Sequence, residues 1–218
     1  MKKAMLKSDP SRRLIPMARW LIENRDDTAS CPVCGHDLRV DAQLSKKVVT
    51  HFTHPQGVKC PTSAVNGTAY VGFKKIARGS AADALRVRRY ALDNLESIYY
   101  RAMELCPELR WTEFLPLLDR ATELDAWSFK DFDVLYIPYL LLCCADSFSG
   151  IKGSKRPSAI FFVLEPGASE SEFWHRPQGE KQRIWRVFAT TKHVDDIAMK
   201  LQEIEPWYRS KARMAMKL

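Results

Sequence analysis

Cys31-Pro32-Val33-Cys34-Gly35, followed by His51-Phe52-Thr53-His54 and then Cys60, organises the first third of this 218-residue chain. Two thiols two residues apart form a knuckle that can chelate one ion, and a later imidazole and thiol complete a tetrahedron. Such a site takes sulfur at about 2.3 Å and imidazole nitrogen at about 2.0–2.1 Å from zinc. Gly35 relieves the turn directly after the second thiol. The candidate ligands are therefore Cys31, Cys34, Cys60 and one histidine. His51 and His54 compete for that place. Residues three apart in a regular strand face opposite sides, so one ion takes both only if the strand ends between them. Pro55 and Gly57 point to such an end. His54 is the favoured ligand, with His51 as its alternative or as a loop-orienting residue, and His36 is expected to face solvent. The plainer reading is four ordinary side chains, but their concentration between Cys31 and Cys60, flanked by Pro and Gly, argues for a structural Zn2+ site.

The charge is as uneven as the cysteine usage. The formal net charge is +8, and residues 1–80 carry all of it, with 14 Lys and Arg against 6 Asp and Glu. Residues 81–218 hold 20 of each sign. A one-sided positive field attracts polyanions, and nucleic acid is the commonest of these. The bland alternative is a solvated basic face. Candidate phosphate contacts are Lys46, Lys47 and Lys59 on the cysteine-histidine module, Lys74, Lys75 and Arg78 in the connector, and Arg86 and Arg89 on the helix that follows. Phe52 reads as the apolar plug of a small module rather than as a base-stacking platform.

Composition narrows the class further. Hydrophobic residues make up 46% of the chain, enough for a real core. No run of about 18 apolar residues appears, so no membrane span is expected. Met1 to Pro10 starts positively but lacks the apolar middle of a secretory signal. Six cysteines are too few for a disulfide scaffold, which points to a reducing, cytoplasmic compartment. Cys106 and the vicinal Cys143 and Cys144 read as buried packing residues. No phosphate-binding glycine loop, dinucleotide fingerprint, serine elbow or His-Glu-x-x-His is present.

Apolar spacing at Leu14, Met17, Ala18, Leu21 and Ile22 predicts one short helix within a basic lead-in over residues 1–27. Residues 45–54 predict a strand returning to the metal. Ser80 and Asp83 give an N-terminal capping signal. Leu85, Leu92, Leu95, Tyr99, Ala102 and Cys106 then carry one long helix to Pro107. A second helix is expected over 112–126, and a buried apolar run over 134–144, where Pro138 marks a kink or a start. Lys152, Lys155 and Arg156 read as an exposed basic loop. Residues 158–164 and 183–188 predict two strands. Val194, Ile197, Leu201 and Ile204 predict a last helix from about Thr191, with a basic tail after it.

The Cys pair, the basic strand, His-Phe-Thr-His and the trailing Cys resemble the N-terminal zinc-finger-like module of the CoiA-like competence proteins of bacteria, over roughly residues 13–62. The resemblance implies DNA work in a bacterium, in a competence, mobile-element or phage-defence setting. In that family the module precedes a restriction-endonuclease-like domain. Its nuclease signature, an acidic residue and then Glu/Asp-x-Lys/Gln on the next strand, is not matched, because Glu165-Pro166-Gly167 follows the strand here.

The chain is thus expected to be an α+β protein. A zinc-ribbon-like module over 1–79 precedes a helix-rich domain with a small antiparallel sheet over 80–218. The expected function is zinc-stabilised binding of nucleic acid, with DNA favoured by the resemblance. Two alternatives stand beside it. One is a divergent nuclease in which Glu165 and Asp131 or Asp133 hold magnesium. The other is an adaptor that docks a partner enzyme through residues 80–218.

Overall fold

The computed structural model describes residues 1–58, 60, 62, 73, 76–164, 183–191, 193–202 and 207–217. Lys59, Lys74, Lys75 and Glu165, together with the 165–182 segment, lie outside them. The architecture is α+β.

The first third is a five-stranded antiparallel sheet in the order β2-β1-β3-β4-β5. Its strands are β1 (Lys3–Leu6), β2 (Leu14–Pro16), β3 (Ala29–Ser30), β4 (Asp37–Asp41) and β5 (His51–Thr53). The chain start is woven in as well, since the Met1 ammonium donates to the Phe52 carbonyl at 2.6 Å and Phe52 N–H donates back to Met1 O at 2.8 Å. The expected lead-in is therefore a hairpin, with Ala4 opposite Ile15, and the helix α1 begins only at Met17 and ends at Glu23. Leu14 belongs to β2. Ile22 is 84% exposed, so the buried side of α1 is Met17 and Trp20. Trp20 meets Phe52 edge-on, with ring centroids 5.3 Å apart. Phe52 is the expected core plug. The predicted 45–54 strand keeps only its last third, because Ser45 Oγ accepts from Lys47 N–H and Val48 N–H and turns the segment before it.

The helical part starts as expected at Ser80. Its hydroxyl accepts from Asp83 N–H and the Asp83 carboxylate accepts from Ser80 N–H, a capping box that opens α2 (Ala81–Asp93). The single long helix breaks at Asn94, whose φ of −119° leaves the helical region, and α3 (Leu95–Leu105) follows. The buried stripe of α2 is Ala84, Val87 and Ala91, while Leu85 and Leu92 face outward. α4 (Trp111–Glu123) matches the second expected helix. α5 (Ile137–Cys144), with Pro138 in its first turn, is buried at every position. Cys106, Cys143 and Cys144 are buried there.

Strands β6 (Ile160–Leu164), β7 (Arg183–Phe188) and β8 (Val194–Ala198) form a second antiparallel sheet. β8 overturns the expected last helix. The basic tail is instead helical, as α6 (Trp207–Met216). This sheet is a middle layer. Ile160, Phe162, Leu164 and Ile184 face the helical core, while Val163, Trp185, Val187 and Val194 close the core of the first third. Alternating side chains thus join the two cores through one sheet. No helix among the described residues is long and apolar enough to cross a membrane.

Candidate metal centre

The knuckle forms as β3 runs into its turn. Gly35 N–H donates to Cys31 O and Cys31 N–H donates to His36 O, both at 2.8 Å. Gly35 sits at φ +74°, a conformation that side chains with a Cβ resist. Val33 N–H donates to Cys31 Sγ at 3.4 Å, which sets the positive end of an amide dipole against that sulfur. His36 is exposed, as its place in the turn predicts.

β5 ends at Thr53, so the next residue, His54, escapes the strand alternation and turns towards the knuckle. Its Nε2 lies 3.3 Å from Cys34 Sγ. A turn at Pro55–Val58, with Gly57 at φ +85°, then returns the chain to Cys60. Cys60 Sγ is 3.8 Å from Cys31 Sγ, and Thr62 Oγ1 lies 3.1 Å from Cys60 Sγ. The ligand atoms of Cys31, Cys34, His54 and Cys60 all lie within 4.8 Å of one another. His51 is not in this group. Its Nδ1 is engaged with Val49 O at 2.9 Å, which holds the turn before β5. The histidine that converges with the three thiols is His54.

The donor set fits a metal ion. A tetrahedron with edges of about 3.8 Å is what three sulfurs at about 2.3 Å from one zinc ion produce, and the Cys31–Cys60 separation equals it. A disulfide needs about 2.05 Å, and none of the six cysteines forms one. Cys31 and Cys60 are fully buried, while Cys34 and His54 are half-buried at the rim. Burial pushes the Cys31 thiol well above its usual range, reinforced by its bonds to Cys34 and Cys60. Hydrogen bonding from Cys31 and Cys34 holds Cys60 low. For Cys34 the contact with Cys31 pulls down, but Cys60 and burial outweigh it, and the thiol stands at about 12. Three sulfurs crowded round one point compete for a single negative charge. A divalent cation at that point relieves the competition. Four protein side chains around one ion would fill a tetrahedron, the coordination of structural zinc sites.

The remaining candidate residues fall on separate elements. Lys46 and Lys47 are exposed on the turn between β4 and β5, next to Leu44 and Val49, which are 99% and 77% exposed. Arg86 and Arg89 are exposed on α2, and Arg86 also donates to Phe132 O at 3.4 Å. Arg78 is a fold pillar. It pairs with Asp125 at 3.2 Å, donates to the carbonyls of Phe73, Ile76 and Leu124, and lies over the Phe129 ring. Arg156 corrects the exposed-loop reading, because it is 1% exposed, donates to Glu113 at 2.7 Å and contacts Cys106 Sγ. Asp133 caps a single 3-10 turn through Leu135 N–H. Among the described residues, the cysteine-histidine group is the one cluster with metal-binding geometry.

Sequence reading missed the parts of the centre that carry no motif. Met1 Sδ lies 4.0 Å from Cys31 Sγ, and Thr62 supplies a hydroxyl to Cys60. Thr62 had a weak signal in its position two residues after a ligand. Met1 had none. Compared with family models, curated proteins and solved structures, the chain matches none.

Proposed function

We propose that this chain is a zinc-stabilised nucleic-acid-binding protein of a bacterial DNA-handling, mobile-element or phage-defence system, with DNA as its preferred partner. One observation carries the reading. The Cys3His centre and the whole charge surplus occupy the same third of the chain, with 14 cationic against 6 acidic side chains in residues 1–80. Zinc supplies rigidity: it ties β3, β5 and the segment at Cys60 into one surface. Lys46 and Lys47, exposed on the turn between β4 and β5, supply phosphate contacts on that surface. The resemblance of residues 13–62 to the CoiA-like module supports DNA over RNA.

The test is fluorescence anisotropy of a labelled duplex at several salt concentrations, with zinc-loaded protein. Each neutralised phosphate contributes a slope of about −0.9 in log K against log salt. Steep salt dependence that becomes shallower by about two in Lys46→Ala/Lys47→Ala is expected. Absence of binding to duplex and single strands alike, even at about 50 mM salt, overturns the reading.

A further inference from the structure

A cleft of about 530 Å³ opens between the β1–β2 hairpin and the β7–β8 turn. That volume lies within the range of small-ligand sites. Its walls are apolar: Leu14, Pro16, Pro32, Phe188 and Val194. Its polar groups are few, namely Lys2 and Lys3 at the chain start and Thr191 and His193 on the opposite turn. Lys2, Lys3 and His193 are exposed.

We propose that this cleft takes one unstacked base of a single nucleic acid strand, with the flanking phosphates held by Lys2 and Lys3. The assignment rests on the nucleic-acid reading above and gives it a specific subsite. Three observations carry it. The first is the pairing of an apolar interior with a cationic lip, which suits a flat, poorly hydrated ring carrying an anion. The second is a fixed aromatic residue at the cleft, Phe188, which is anchored by packing against the helical core. The Arg186 guanidinium lies 5.4 Å from the centroid of Phe188, His193 packs against the same ring at 5.8 Å, and the His193 ring is itself held by Asp195 Oδ1 at 2.7 Å from its Nε2. The third is the connection to the metal centre. Pro32 lies between the ligands Cys31 and Cys34, and Met1, another lining residue, reaches Cys31 Sγ with its sulfur. One wall of the cleft is therefore the knuckle itself. With so few hydrogen-bonding groups inside, the cleft accepts bases by shape and stacking, so it has little sequence preference.

Anisotropy with a labelled oligothymidylate, a labelled oligodeoxyadenylate and a labelled duplex tests this on the full zinc-loaded chain. Single strands of both compositions are expected to bind, and Phe188→Ala to weaken them about tenfold. Lys2→Ala/Lys3→Ala, on exposed residues that leave the fold intact, is expected to give a similar loss that fades with added salt. Photo-crosslinking of a 5-iodouracil oligomer is expected to label the peptide holding Phe188 and His193. Single-strand binding unchanged by both variants, or crosslinks confined to the Lys46–Lys47 turn, overturns the cleft assignment while leaving nucleic-acid binding in place. So does duplex binding without single-strand binding. Thymidine monophosphate competing as well as the strand also overturns it, since the site then belongs to a free nucleotide. Loss of every nucleic acid signal removes the cleft and the parent reading together.

Discussion

Cys34 Sγ and His54 Nε2 stand 3.3 Å apart across 20 residues of chain, brought together by the antiparallel pairing of β4 with β5. The intervening chain makes β4, a turn and β5, and each delivers the imidazole to the sulfurs. The two histidines of the His-Phe-Thr-His motif accordingly have separate duties. His54→Ala is expected to lower zinc affinity by more than about 100-fold, since even loss of a supporting partner costs 10–100-fold. His51→Ala is expected to lower it by less than about tenfold. Chelator competition on the two variants measures both, and the reverse order contradicts the geometry.

That division shows what a sequence reveals about such a site. Ligand spacing and the strand break are local, so Cys31, Cys34, His54 and Cys60 were readable as a set. The capping box at Ser80 and Asp83 is equally local. β8 was not readable. Val194 faces the small core and Ile197 the helical one, three residues apart on opposite faces of a sheet buried on both sides. That spacing imitates a helix stripe. The cleft was hidden for the same reason, because Pro32 and Phe188 meet only through tertiary packing. The break at Asn94 escaped notice because Leu92 carries the apolar period onward while facing solvent.

Arg156 and Glu113 form a buried pair with Cys106 beside it. Removing the carboxylate alone leaves a guanidinium that is 1% exposed without its counter-charge. Glu113→Gln is expected to cost about 3 kcal/mol, at the lower end for broken buried pairs because Glu113 retains some solvent contact. Arg156→Met/Glu113→Gln, which removes both charges, is expected to recover most of that loss. Urea denaturation of wild type, single and double variants gives the comparison. A double variant as unstable as the sum of its parts contradicts it.

Asp195 receives two bonds from Arg186, at 3.2 and 2.8 Å, and faces it across the β7–β8 ladder. Burial alone raises its carboxyl, but Arg186 and then His193 outweigh burial and hold it below the ordinary 3.8. A depressed carboxylate stabilises the fold above its unfolded value, and this contribution disappears as pH falls through the folded value. Stability is therefore expected to decline below about pH 4. Asp195→Asn is expected to cost about 1 kcal/mol or less at neutral pH, because the pair is partly exposed, and to flatten the acid decline. Thermal melts from pH 7 to pH 2 read both effects. An unchanged acid slope in the variant contradicts this assignment.

The most direct test of the account is the metal content of the purified chain, measured by mass spectrometry under native conditions and after denaturation. The account predicts about one zinc ion per chain, lost from Cys31→Ser/Cys34→Ser together with the buried environment of Trp20 in the adjoining core. A metal-free protein whose double variant keeps Trp20 buried and still binds DNA would contradict it.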